Sequence, residues 1–192
     1  MRNFARHVIE WCSLPGRLAG WLILPLIVFV CAAVLAAKLG VNSIVGWKNE
    51  LPVVGSALTV NSLLDLQWYI FAVIVLFGGV YAFRDDHHVN VDFLSSAFSP
   101  RVKKLVQIFG DLFFLLPFCA VIAWYGSKFA YTAFLSGEGS TYGGLLDRWI
   151  IKACLPLSFV LLGICAVARA LSSIASLVAG DDDPTDGSNE NE

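Results

Sequence analysis

With 192 residues, of which 57% are hydrophobic and 15% charged, the chain is too apolar for a soluble domain, in which charged residues make up about 25%. The net charge of −2 comes largely from an acidic end and says nothing about the partners of the rest. Four apolar stretches account for most of the sequence, at residues 18–37, 64–83, 105–127 and 153–173. Because about 20 helical residues cover a hydrocarbon core of about 30 Å, each stretch can span a bilayer. Backbone groups in lipid must pair within their own segment, so we predict an all-α membrane protein whose four-span domain covers residues 18–176.

The N-terminal segment, residues 1–17, mixes apolar and charged side chains. Phe4 and Val8 stand beside Arg2 and Arg6, which is typical of a short helix lying in the membrane interface. The pair Pro15-Gly16 is expected to end this helix. The first span that follows is too long for the apolar core of a cleavable signal peptide, so we expect it to remain in the protein.

The connections between spans differ in character. Connection 39–61 is rich in glycine and valine, and its path is left open. Connection 84–104 begins with a charged run, and its later apolar residues recur on one helical face, so we predict an amphipathic arm helix at about 92–99 with Asp92 as its N-cap. The last connection has four glycines between residues 137 and 144 and is expected to be a mobile loop. Residues 181–192 are acidic and rich in Gly, Ser and Asn, so we predict a disordered tail, which we place at residues 177–192.

Lysine and arginine residues are divided unequally between the two sides of the predicted bundle. Eight of them lie in or near the N-terminal arm, the second connection and the exit of the last span, and five lie in the first and third connections. Cytoplasmic loops of membrane proteins carry the excess of these residues. We therefore predict that both termini are cytoplasmic.

Three charged residues lie within or at the ends of predicted spans. Asp65 opens the second span and reads as an ordinary charge at a helix end. Asp111 lies six residues into the third span, and Arg169 lies about four residues before the end of the fourth. A charge at mid-membrane costs about 2.5–3.5 kcal/mol on insertion scales, so Asp111 and Arg169 each need a physical reason. We expect that these two side chains face each other or that one of them contacts a partner subunit. Two alternatives remain open: Arg169 reaches the lipid headgroups, and Asp111 is a protonated or hydrogen-bonded structural acid.

Residues that carry enzyme chemistry are sparse. The three histidines lie outside the spans, whereas a membrane haem needs axial histidines within helices. The five cysteines form no CxxC pair and read as small apolar residues. No phosphate-binding loop or nucleophile elbow is present, and the tryptophans near span ends resemble an interfacial belt rather than a nucleic-acid stacking surface. We expect no enzyme activity, no cofactor, no metal site and no nucleic-acid partner.

The segment after the second span is the most specific. Residues 81–92 read Tyr-Ala-Phe-Arg-Asp-Asp-His-His-Val-Asn-Val-Asp. This resembles the signature of the small membrane subunit of TRAP transporters (tripartite ATP-independent periplasmic transporters, DctQ-like), where a charged helix end leads into a His-Val-x-Val-Asp run. Further matches follow in the family's order over about residues 60–172. The matching residues are His88, Val89, Val91 and Asp92 in that run, then Arg101, Gly137-Glu138, and Trp149, Lys152 and Pro156 as a W-x-x-K-x-x-x-P entry into the last span.

The resemblance implies the small subunit of a secondary active, sodium-coupled transporter for organic acids in the bacterial inner membrane. In that family the large multi-spanning permease subunit carries the sodium and substrate sites, and a periplasmic binding protein delivers the substrate. The small subunit is then a scaffold that contacts both partners and the membrane lipids, and binds neither substrate nor sodium. The expected interface and structural residues are Arg84, His88, Val89, Val91, Asp92, Arg101, Asp111 and Arg169, and those expected to face a periplasmic partner are Glu138, Arg148, Trp149, Lys152 and Pro156.

Two other functions stay open at this point. One is a membrane anchor for a redox enzyme, against which the lack of histidines inside the spans argues. The other is an unrelated four-helix assembly factor for another membrane protein. It differs from a transporter subunit only in its partner.

Overall fold

The computed structural model describes residues 2–51, 53, 55–84, 100–140 and 144–179. Within these residues the chain forms six α-helices, one π-helical segment and one β-hairpin. The elements in chain order are α1 (Arg2–Gly20), α2 (Ile23–Lys38), β1 (Ser43–Leu51), β2 (Gly55–Thr59), α3 (Val60–Arg84), α4 (Pro100–Phe109), the π-segment (Gly110–Leu115), α5 (Leu116–Ser136) and α6 (Trp149–Ala179).

Four helical stretches are long and apolar enough to cross a membrane, which confirms the predicted all-α membrane fold. They are Ala5–Lys38, Val60–Arg84, Val102–Ser136 and Trp149–Val178. Only 11 to 28% of the most apolar window of each stretch is buried inside the chain. The remaining apolar surface must therefore be covered by lipid or by other subunits.

Helix α1 does not end where the sequence suggested. The helix passes through Pro15 and reaches Gly20, and a turn at residues 21–22 then leads into α2. A proline inside a helix costs about 3 kcal/mol, so tertiary packing must hold this turn. Gly16 shows how: a Cβ at this position would collide with the Phe77 carbonyl oxygen and the Tyr81 side chain of α3. The expected stop signal is thus a point of close contact between two helices.

The connection whose path was left open forms a hairpin. Strands β1 and β2 pair antiparallel, with Ser43 opposite Thr59 and Leu51 opposite Gly55, and the register shifts twice between these ends. The Trp47 indole Nε1–H donates to the Gly55 carbonyl oxygen at 2.7 Å. Thr59 and Ser62 exchange hydrogen bonds at the start of α3, which satisfies donors of its first turn. The described residues of the membrane bundle itself remain helical.

Helix α6 is the central element of the bundle. It packs against α5, α1 and α3, while α2 packs against α3. A small core forms where α3 and α6 meet, built from Val80, Phe83, Cys165 and Ala166, with Cys12 of α1 against it. The Gln67 side chain on α3 donates to the Phe29 carbonyl oxygen of α2 at 3.0 Å. The cysteines are free thiols.

One predicted boundary differs from the structure, and one predicted helix lies outside the described residues. Helix α6 continues through Ala179, so residues 177–179 are helical rather than part of the predicted tail, because Leu177 and Val178 extend the apolar run. The predicted arm helix at 92–99 lies outside the described residues, as do the predicted interface residues His88, Val89, Val91 and Asp92. Residues 180–192 also lie outside them.

Candidate functional site

At one end of the bundle, two charged residues of the spans, Asp111 and Arg169, form an ion pair. The Arg169 Nε–H donates to Asp111 Oδ2 at 2.9 Å, and Arg169 Nη2 donates to Oδ1 at 2.6 Å. This bidentate geometry makes an arginine–carboxylate hydrogen-bonded ion pair stronger than a single hydrogen bond does. The guanidinium carbon also lies 3.7 Å from the centroid of the Phe83 ring, a cation–π contact. The pair therefore links the π-segment, α6 and α3.

The local backbone around Asp111 is unusual. Asp111 is the second residue of the π-segment, and its carbonyl oxygen accepts the N–H of Leu116, five residues later. One wide turn of this kind shifts the rotational phase of the helix between α4 and α5. Asp111 is 5% exposed, so its carboxylate has exchanged water for the Arg169 guanidinium. Of the possibilities left open by the sequence, pairing of Asp111 with Arg169 within the chain is the one seen.

At the opposite end of the bundle, three predicted partner-contact residues come together. Lys152 Nζ lies 2.5 Å from Glu138 Oε2, and Arg148 Nη1 lies 3.6 Å from Glu138 Oε1. The Arg148 backbone N–H also donates to the Glu138 carbonyl oxygen at 3.0 Å. The Lys152 ammonium sits 3.9 Å from the centroid of the Phe129 ring. Glu138 and Arg148 are each about one third exposed, at 37% and 36%, so both remain accessible to a partner.

A carboxylate on α3 holds the last loop in place. The Leu145 backbone N–H donates to Asp65 Oδ2 at 3.1 Å, and Leu145 is 1% exposed. A Cβ at Gly144 would collide with the same carboxylate oxygen, so only glycine allows this approach. Sequence reasoning missed this contact, because Asp65 reads as an ordinary charge at a helix end. Its partner is 80 residues away in the chain, and no local signal identifies it.

The hairpin joins the same assembly. The Leu146 N–H donates to the Val53 carbonyl oxygen at 2.6 Å, and the Ser140 N–H donates to the Leu145 carbonyl oxygen at 2.8 Å. We call the surface made by Val53, Asp65, residues 137–140 and residues 144–152 the loop cap. The loop was expected to be mobile, but its described residues are tied to the hairpin, α3 and α6.

Of the remaining predicted residues, Trp149 belongs to the loop cap and the others lie elsewhere. The Trp149 ring packs edge-on against Phe134 of α5, with centroids 5.3 Å apart. Pro156 lies further along α6, beside Gly126 of α5, whose missing side chain leaves room for the proline ring. Arg84 is the last residue of α3, and its guanidinium carbon lies 5.7 Å from the centroid of the Tyr81 ring. Arg101 is the second residue of α4.

Glu138 offers a pH test of the loop cap. The hydrogen bond from Lys152 holds the pKa of the Glu138 carboxyl below its usual value of 4.5. A lowered pKa means that the contact stabilises the fold fully above pH 4.5 and is lost as pH falls through the lowered value. We expect a ¹³C titration of the Glu138 carboxyl in nanodiscs to give a midpoint below 4.5, and Lys152→Gln to raise it.

The matched control is Lys128→Gln. Lys128 lies over the Trp124 ring at 5.0 Å and is not among the groups that act on Glu138. This variant should leave the Glu138 midpoint where it is. Equal midpoints in the wild type and Lys152→Gln would show that the Lys152–Glu138 contact does not form in a membrane.

Comparison with known proteins agrees with this architecture. The family model described as "Tripartite ATP-independent periplasmic transporters, DctQ component" matches residues 26–176, which includes most of α2, both ends of the bundle and nearly all of α6. The comparisons with curated proteins and with solved structures give no match. A match over this much of the chain defines the family: the chain belongs to the DctQ family and is a component of a tripartite ATP-independent periplasmic transporter.

Proposed function

We propose that this chain is the small membrane subunit of a sodium-coupled TRAP transporter for organic acids. It acts as a scaffold for the large permease subunit and helps to receive the periplasmic binding protein. It resides in the bacterial inner membrane with both termini in the cytoplasm, which puts the loop cap on the periplasmic side. Membership of the DctQ family supports the subunit assignment, and the excess of Lys and Arg at the other end of the bundle supports the orientation.

The observation that carries the scaffold role is the small number of polar groups inside the described part of the bundle. The Tyr69 hydroxyl of α3 is buried without a hydrogen-bond partner, but it lies near the Asp65 and Arg148 charges of the loop cap. Among the described residues, the buried polar side chains are Ser13, Ser62, Asp111 and Ser158. Each has a partner within the chain: the serines bond to backbone or to Thr59, and Asp111 bonds to Arg169. A transport pathway needs polar groups that can bind a solute and an ion at mid-membrane. This role is therefore assigned to the large subunit.

The loop cap is suited to contact with a soluble partner. Exposed charges at the edge of an interface speed and orient association rather than supply most of its affinity. Glu138 and Arg148 are exposed charges of this kind, while Asp65 and the buried Leu145 keep the surface below them in place. The binding protein would then dock on a preorganised surface, so less conformational entropy is lost when the loop residues become ordered on binding.

The opposite end of the bundle is assigned to scaffold contacts. The Asp111–Arg169 pair joins the π-segment that follows α4 to the last third of α6, and Arg169 also contacts Phe83 near the end of α3. We assign the motif residues to an interfacial arm that contacts the large subunit and lipid. They are Arg84, His88, Val89, Val91, Asp92 and Arg101.

The test of the proposed function is co-purification from native membranes. The full chain is tagged and extracted in mild detergent, and the accompanying proteins are identified by mass spectrometry. We expect a large multi-spanning permease in stoichiometric amount. Recovery of a redox enzyme instead, or of the chain without a permease, would contradict the proposal.

A paired variant tests the role of the loop cap within this function. Arg148→Glu reverses an exposed charge of the loop cap, and we expect slower capture of the periplasmic binding protein by about ten-fold at low salt with the permease still bound. Lys38→Glu, at the end of α2 and outside the loop cap, serves as the charge-matched control. Equal capture rates in both variants would contradict the docking role and leave the subunit assignment intact.

A further inference from the structure

A cavity of about 470 Å³ lies between α1, α5 and α6, within the membrane-spanning length of the bundle. Ala120 and Ala123 of α5 line one side and Gly163 and Val167 of α6 the other. The small side chains leave the room that forms this groove. The volume falls within the range of about 300–1,000 Å³ that is typical of small-ligand sites.

The chemistry of the walls selects an apolar occupant. The lining side chains are hydrocarbon or glycine except for Cys119 and Ser172. The Ser172 hydroxyl already donates to the Arg169 carbonyl oxygen at 2.8 Å, and Cys119 is buried in the packing between α5 and α6. A polar solute would lose its water without gaining hydrogen bonds here, which is strongly unfavourable.

The shape of the groove suits an elongated apolar occupant. Its lining residues on α6 run from Phe159 to Ser172, a length of about 20 Å at about 1.5 Å per residue. One leaflet of the hydrocarbon core is about 15 Å thick, so a single hydrocarbon chain is close to the length of the groove.

Charge next to the groove indicates how the occupant is held. Ala5 and Val8 of α1 line the groove, and the exposed Arg6 belongs to the same helical turn. Helix α1 is amphipathic, with Arg2, Arg6 and Arg17 outnumbering Glu10. An arginine close to a membrane surface attracts anionic headgroups. A lipid whose chain enters the groove would have its phosphate at this level.

We propose that the groove between α5 and α6 is a binding site for one acyl chain of an anionic membrane phospholipid, with Arg6 of α1 beside the headgroup. The lipid fills the gap left by the small residues and so supports the packing of α1 across α6. The site rests on the groove and its walls, independently of which transporter subunits surround the chain.

The test measures retained lipid by native mass spectrometry on the full chain, purified in mild detergent together with any bound subunits. The probe is an equal mixture of phosphatidylglycerol and phosphatidylethanolamine. We expect one phospholipid per wild-type chain, with phosphatidylglycerol preferred. Ala120→Phe projects a ring into the groove from an exposed position and should lower retention by about ten-fold or more. Arg6→Gln should lower the preference for phosphatidylglycerol by about five-fold.

Val121→Phe is the matched control, because Val121 is the next residue of α5, is exposed and does not line the groove. Circular dichroism and a single elution peak establish that each variant is folded, and Ala120→Leu gives a smaller step if the phenylalanine variant is not. The proposal is overturned by wild-type protein without retained lipid, by equal retention in Ala120→Phe and Val121→Phe, or by unchanged headgroup preference in Arg6→Gln. It is also overturned if Ala120→Phe releases a partner subunit while lipid retention stays the same, since a partner side chain then occupies the groove.

Discussion

Asp111→Ala is expected to destabilise the folded chain by about 3–5 kcal/mol, which is the usual cost of removing one partner of a buried ion pair. The change leaves the Arg169 guanidinium, whose side chain is 19% exposed, largely buried without its carboxylate. The cation–π contact to Phe83 remains but does not neutralise the charge. The measurement is unfolding in mixed micelles as the fraction of denaturing detergent rises, and the expected result is a transition at a much lower fraction.

Removing the second charge as well separates the ion pair from simple packing. Asp111→Ala with Arg169→Met replaces the pair by apolar groups, and such replacements are often neutral. The double variant should therefore be more stable than Asp111→Ala and closer to the wild type. If the double variant is less stable than the single one, with effects that add, the two residues act independently and the pairing does not contribute to the fold. The yield of permease complex should follow the same order.

Gly16→Ala is expected to destabilise the contact between α1 and α3 by about 1–3 kcal/mol, the range for overpacking a filled site. The added methyl group would collide with the Phe77 carbonyl oxygen, and backbone cannot move aside as the end of a flexible side chain can. Helix α1 must then shift away from α3 near Tyr81. Spin-label distances between the two helices, together with unfolding in mixed micelles, measure the shift and its cost.

Gly20→Ala provides a control of opposite sign. Gly20 is in the same helix, and a Cβ there meets nothing within 4 Å. Alanine has a higher helix propensity than glycine by up to about 1 kcal/mol, so this variant should be neutral or slightly stabilised. If Gly16→Ala also gains stability, the close approach of α1 to α3 is absent in the membrane.

The spans were predictable because their signal is local. Twenty or so apolar residues in a row have few alternatives in lipid, and each predicted stretch lies within a helical stretch that is long enough to cross, although a turn at residues 21–22 divides the first one. The family signature was also local, since it depends on short motifs in a fixed order, and the family match confirms it. The site residues assigned from that signature remain predictions.

The errors have a common physical origin. Pro15-Gly16 has the composition of a helix end, but packing against α3 carries the helix through it. Asp65 looks like a surface charge at the start of a span, yet it accepts a hydrogen bond from Leu145. At Pro15-Gly16 the local preference against helix is about 1–3 kcal/mol, which packing against a distant helix can outweigh. At Asp65 the neighbouring sequence gives no information about a hydrogen-bond partner that lies 80 residues away.

The sequence by itself determined the membrane location, the four helices and the family, because each follows from composition and order along the chain. Only the tertiary structure decided that Asp111 pairs with Arg169 through a π-helical turn and that hairpin, α3 and last loop join in one loop cap. These contacts join residues 58 and 80 positions apart. Their geometry depends on the rotation and depth of whole helices, which a pattern along one segment does not specify.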